Sequence, residues 1–186
     1  SVRSDFNWLV ESGWQAVIEK HLRYDGKVMG ICGGFQMLGN QIHDPDAIEG
    51  PEGSSTTLGY LDFETTLQQH KQLINVEGQV KNSNIAIRGY EIHAGLSEGA
   101  AFNDCLFNLG DHEDGLQSPD KQVLGSYLHG IFDDEGMMQY LLNWAGLENA
   151  EVFNYDALQE SEINRLADEV EKVLTISKLR SLLSLN

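Results

Sequence analysis

The stretch that most restricts this chain is VMGICGGFQMLG, residues 28–39, in which a short apolar run meets a glycine-flanked cysteine and then a helix-prone segment. A run such as Val28-Met29-Gly30-Ile31 is what a strand buried on both faces looks like. Gly-x-Cys-x-Gly between strand and helix matches the nucleophile elbow of serine hydrolases, with sulfur in place of oxygen. At such an elbow the nucleophile is held in a strained backbone conformation, and neighbouring segments pass so close that side chains at Gly30 and Gly34 are expected to collide. The turn lifts the Cys32 thiol out of the sheet, and the start of the next helix offers N–H groups and partial positive charge that favour thiolate. The Gly33 N–H is then half of an oxyanion hole. Two other readings of the same residues stay open: Cys32 as a small buried hydrophobe, and a phosphate-binding glycine loop. The second is weaker, because GICGGFQ lacks the Lys-Ser/Thr ending of a P-loop.

A cysteine nucleophile needs an imidazole to take its proton and return it to the leaving amine. Of six histidines, His129 follows the apolar run 123–128 and precedes Gly130, where an α/β sheet presents residues at the carboxyl ends of its strands. His21 on the opening helix, and His70 and His112 in polar turns, read as solvated surface. Glu91 and His93 alternate onto one side of a strand and are candidates for lining a pocket, although any half-exposed strand alternates in this way. His43 with Asp44 and Asp46 reads as a solvated loop rather than a metal site.

The chain has 186 residues, 41% of them hydrophobic, which suits one domain with one sizeable core. A formal charge of −17 with only 12 Lys and Arg speaks against nucleic acid or an anionic membrane as a partner. No apolar run is long enough to span a bilayer and no signal-peptide pattern appears, so a cytoplasmic location is expected. Two cysteines make no disulfide framework, and Cys105, in an apolar run, reads as core. Helical spacing in the first 24 residues is broken at Gly13, which gives two helices. Residues 41–59 read as loop; 58–67, 73–80, 85–93 and 101–109 read as antiparallel strands beside a parallel core. A helix follows over 134–145, and a final amphipathic one packs outside.

GICGGFQMLG, IHDPDAIEG, LGYLDFETTL, RGYEIHAG and GSYLHGIFD together resemble, in that order, the glutaminase domain of cobyric acid synthases, in the cobalamin-pathway branch of class I glutamine amidotransferases. The resemblance runs over most of the chain, to about residue 174. Cobyrinic acid a,c-diamide synthases are close but usually replace the Gln36-Met37 pair; lipid II amidotransferase subunits are more distant. The resemblance implies a flavodoxin-like, doubly wound α/β fold, with antiparallel strands added in the middle. It also implies hydrolysis of L-glutamine by Cys32 and His129, and transfer of ammonia to a corrinoid acceptor. ATP and magnesium are then used by an N-terminal synthetase domain, with no cofactor in this domain. In the wider superfamily a glutamate stands two residues after the histidine. Here that position is Ile131, so a Cys–His dyad is implied, and Asp133, Asp134 and Glu91 remain unassigned as its orienting group. Only 28–31 and 123–128 look like buried parallel strands, and Ser1 looks like the continuation of a Pro-Gly-Ser loop that completes the oxyanion hole. The expectation is a C-terminal portion lacking its first strands, inactive or weakly active alone and prone to self-association.

Overall fold

The computed structural model describes residues 1–183, without the side chains of 70–72. His70 therefore has a backbone placed in a strand and a side chain outside the described residues. Where the sequence reads as one domain, the chain divides into two compact units, residues 1–150 and 151–186.

In the first unit, helices α1 (Val2–Glu11) and α2 (Trp14–Arg23) meet at Gly13, whose φ of 80° is one that glycine adopts without strain. Strand β1 (Val28–Ile31) leads into helix α3 (Gly33–Leu38). β2 (Gln41–Asp44) and β3 (Gly53–Thr56) follow, then the long hairpin of β4 (Glu64–Val80) and β5 (Ala86–Glu98). A 3-10 turn (Ala100–Asp104) precedes the short strands β6 (Phe107–Asn108), β7 (Glu113–Asp114) and β8 (Leu116–Gln117). β9 (Val123–Ser126), β10 (Leu128–His129) and helix α4 (Glu135–Trp144) complete the unit.

Two sheets result, giving the mixed α/β fold expected. One has the order β1-β9-β8, with β1 and β9 parallel from Val28↔Val123 to Ile31↔Ser126. The other has the order β10-β5-β4-β2-β3, with β6 and β7 attached through β4. β9 is covered on both sides, because successive residues face opposite ways. Val123 enters a cluster with Phe35, Phe63 and Tyr127, and Leu124 one with Ile87, Leu128 and Met137. α4 starts where the Asp134 carboxylate accepts the Met137 N–H at 3.0 Å, and it buries Met137 and Leu141, one turn apart, in the second cluster.

Several segments depart from expectation: 58–67 and 73–80 are not separate strands but meet in β4 (Glu64–Val80), which takes in the expected turn at His70. The stretch 41–59 holds the paired strands β2 and β3, and its polar residues serve the turn between them: Asp44, fully buried, accepts the amides of Ile48 and Glu49. The stretch 101–109 opens as a 3-10 turn rather than a strand, which brings Phe102 edge-on to Phe35 and Phe63.

The second unit consists of α5 (Tyr155–Val173), capped by Asn154, and α6 (Ile176–Leu182). Ile163, Leu166, Val170 and Val173 form an apolar stripe along α5. No helix among the described residues is long and apolar enough to cross a membrane.

Candidate active site

Cys32 joins β1 to α3 with φ 53° and ψ −113°, a backbone conformation that costs a non-glycine residue about 1–3 kcal/mol. Its N–H donates to Ser126 O at 2.9 Å, continuing the parallel register of β1 and β9 past the last strand residue. Gly30 is needed where it stands: a Cβ there would lie 2.6 Å from the Gly34 carbonyl oxygen. The same expectation for Gly34 is corrected, because a Cβ at that position meets open space. The crowding is one-sided, since the α3 backbone presses on Gly30 while Gly34 turns its own hydrogens outward.

The sulfur opens on a recess of about 350 Å³ whose wall includes Gly33, Gln36, Glu49, Ile92 and His93. The Cys32 thiol donates to the Ile92 carbonyl oxygen at 3.4 Å, so β5 runs beside Cys32. The same strand receives His129: β10 pairs with it antiparallel, with His129 opposite Tyr90. Tyr90 and Ile92 are two residues apart, roughly 7 Å along a strand. The His129 ring stacks on Tyr90 with centroids 5.0 Å apart, and its Nε2 is buried with no hydrogen-bond partner among the described residues.

Glu91 and His93 share the wall of a neighbouring cavity of about 410 Å³, with Tyr127 and His112. Nδ1 of His93 donates to Gly95 O at 2.9 Å and its ring lies on Tyr127 at 3.8 Å, which sets its orientation. Glu91 is 3% exposed, and its Oε1 accepts from His112 Nε2 at 2.8 Å. Burial works against its ionisation, but the neighbouring imidazoles of His93 and His112 hold its carboxyl below the usual range. Burial likewise opposes the charged form of His112, yet Asp111 and Glu91 on its two ring nitrogens raise its pKa. His112 is thus corrected from solvated surface to a partner of Glu91. Its place in a polar turn between β6 and β7 gave no sign of this.

With this geometry in view, the comparison with known families is direct: the model for the CobB/CobQ-like glutamine amidotransferase domain matches residues 1–137. The chain belongs to that family. Membership implies amidotransferase activity with glutamine as donor. Among solved structures, one described as a glutamine amidotransferase matches at TM-score 0.55 and 17% identity, over 78% of this chain and 75% of that one, a likeness of fold. A chain from the structure of PurLQS from Thermotoga maritima matches at TM-score 0.49 and 18% identity, over 70% and 67%.

In this CobB/CobQ-like domain the remaining sequence candidates fall outside the recess. Asp134 caps α4, and Glu91 is engaged by the other two imidazoles, not by His129. His43 lies between Ser54 Oγ at 2.8 Å and Glu64 Oε2 at 3.0 Å. Asp44 caps its turn, and no group of three or more His, Cys, Asp or Glu among the described residues is arranged to hold a metal ion. His21 is exposed on α2, and Cys105 is buried, its thiol pushed up to about 11 chiefly by burial. Sequence reasoning missed Gln36 as a wall residue; its amide donates to the Tyr127 hydroxyl at 3.2 Å, and its place four residues after Cys32, one helical turn on, was the available signal.

Proposed function

We propose that this domain hydrolyses glutamine at Cys32 with His129 as its base, and supplies the ammonia for ATP-dependent amidation of corrinoid carboxylates, as in cobyric acid synthases. The observation that carries the catalytic part is the positive φ of Cys32, 53°, at a strand-to-helix junction held tight by Gly30. Strain of this kind persists where the surrounding structure enforces it, and it clusters at sites that do chemistry. A second support is the His129 Nε2, which is buried with no hydrogen-bond partner among the described residues.

The chemistry follows from these groups. The Ile92 carbonyl, which receives the thiol hydrogen at rest, cannot take the proton, and the base proposed for it is the His129 imidazole. His129 takes it, the thiolate attacks the side-chain amide carbon of glutamine, and the carbonyl electrons move to an oxyanion facing the Gly33 N–H. When the oxyanion collapses, the C–N bond breaks and His129 returns the proton to the departing ammonia. Water, deprotonated by the same imidazole, then cleaves the glutamyl thioester and restores the thiol. The chain's own part ends with ammonia; ATP and magnesium are assigned to a synthetase region, and no residue here is assigned to them.

The corrinoid assignment rests on GYEIH and YLHGIFD standing together behind GICGGFQMLG. Labelling with 6-diazo-5-oxo-L-norleucine, a glutamine analogue that alkylates amidotransferase cysteines, tests the nucleophile. Cys32 should be the modified residue on peptide mapping, protected by glutamine, and Cys32→Ser and His129→Asn should each lower ammonia release by about three orders of magnitude or more. Glutamine hydrolysis that survives Cys32→Ser would sink the assignment. Acceptor choice is tested with the synthetase present, comparing adenosylcobyrinic acid a,c-diamide with cobyrinic acid and lipid II; amidation of cobyrinic acid alone overturns the a,c-diamide as acceptor, and amidation of lipid II alone overturns the corrinoid part.

A further inference from the structure

One imidazole, that of His93, forms part of the wall of both the Cys32 recess and the neighbouring cavity. From it the side chains form a line. Nε2 of His93 is 3.8 Å from Oε2 of Glu91, Oε1 of Glu91 accepts from His112 Nε2 at 2.8 Å, and His112 Nδ1 is 2.8 Å from Asp111 Oδ1. A carboxylate as buried as Glu91 is tolerated when it is paired, and this one divides its two oxygens between two rings. What one ring takes from Glu91 changes what remains for the other, because groups this close titrate as a set. His93 itself has both nitrogens turned toward oxygen, Nδ1 to Gly95 and Nε2 to Glu91, so it borders the Cys32 recess with neither nitrogen free to serve as base.

We propose that His112 is a positioning residue that acts through Glu91 on His93, and thereby adjusts the reactivity of Cys32 from a cavity that the sulfur does not line. The catalytic consequence rests on the glutaminase reading above. The other ionisable groups around this line have their own partners or lie beyond it. Asp114 accepts from Ser126 Oγ and the Tyr127 amide, and Glu113 pairs with Lys81 at 2.7 Å. Tyr127 lies flat on His93, its hydroxyl bonded to Ser97 and Gln36. Asp5 and Glu49 line the recess itself.

The test uses two readouts that do not depend on glutamine hydrolysis: the titration midpoint of the His93 ring by NMR, and the rate of Cys32 alkylation by iodoacetamide at pH 7. Glu91→Gln withdraws the charge that favours protonated His93, so the midpoint should fall by about half a pH unit and alkylation should slow about threefold. His112→Gln leaves Glu91 to His93 alone, so both should move the opposite way, alkylation rising about twofold. In a His93→Gln background neither change should alter alkylation. Shifts of the same sign in the two variants, an unmoved His93 midpoint, or effects that persist without His93 would each overturn the proposal. Near-UV circular dichroism confirms that the variants remain folded; His112, partly exposed, is the safer of the two. If the opposed shifts are present but 6-diazo-5-oxo-L-norleucine leaves Cys32 of the wild-type protein unmodified, the relay stands and the glutaminase reading fails.

Discussion

The imidazole of His129 lies flat on the ring of Tyr90, with the planes 7° from parallel and the centroids 5.0 Å apart. Tyr90 is half exposed, so its value here is orientation more than burial. Tyr90→Leu should lower stability by no more than about 1 kcal/mol, while ammonia release falls several-fold as the ring loses its platform. Tyr90→Phe, which keeps the aromatic face, should restore release. Urea unfolding and ammonia assays on the two variants check this, and equal loss in both would show that stacking is not what matters.

The glycines of the elbow should differ sharply. Gly30→Ala places a methyl group 2.6 Å from a backbone oxygen, so it should cost about 1–3 kcal/mol or more and disturb Cys32. Gly34→Ala meets open space within α3 and should be neutral or stabilising by up to about 1 kcal/mol. Thermal unfolding of the pair decides it; a Gly30→Ala protein as stable as the parent would mean that the close approach is relieved cheaply.

The Glu91–His112 pair sets a pH window for stability. The His112 pKa is raised on folding, so its contribution is full below the unfolded histidine value, about 6.5, and is lost as pH rises through the higher folded value. The Glu91 pKa is lowered, so its contribution is full above the unfolded glutamate value, about 4.3, and is lost as pH falls through the lower folded value. Between those limits the pair is intact. Urea unfolding across pH 4–9 should show the alkaline decline flattened in His112→Gln, and an unchanged decline would remove His112 as its cause.

The two thiols should separate by access and by pKa. In folded protein at pH 7.5, a thiol reagent should modify Cys32 and leave Cys105 untouched, because Cys105 is buried and its thiol is pushed up to about 11. Both should react in urea. Mass-mapped labelling before and after unfolding settles the point, and early modification of Cys105 would show that its cluster opens readily.

What was legible in the sequence lies within short stretches of chain. The elbow at 28–39, the break at Gly13 and the start of α4 at Asp134 are each dictated by residues a few positions apart, through strand and helix period, glycine freedom and capping. The run 123–128 was legible as buried but not as two strands: β9 ends at Ser126 with both faces covered, and Leu128 opens β10 in the other sheet. The pairing of β2 with β3 was not, since a polar alternation such as Gln41-Ile42-His43-Asp44 resembles a loop until Ile42 is seen buried beneath it.

The partners of the site were decided by tertiary structure alone. His112 reaches Glu91 across 21 positions, Cys32 reaches the Ile92 carbonyl across 60, and His129 meets Tyr90 only because β10 pairs with β5 in one register. A slip of one residue would turn Glu91 and His93 to the opposite face and leave the elbow unchanged. The sequence by itself therefore determined the strained turn at Cys32, because local sterics produce it. The surroundings of that turn depend on strand register, which is set by burial summed over whole sheets and is written at no single position.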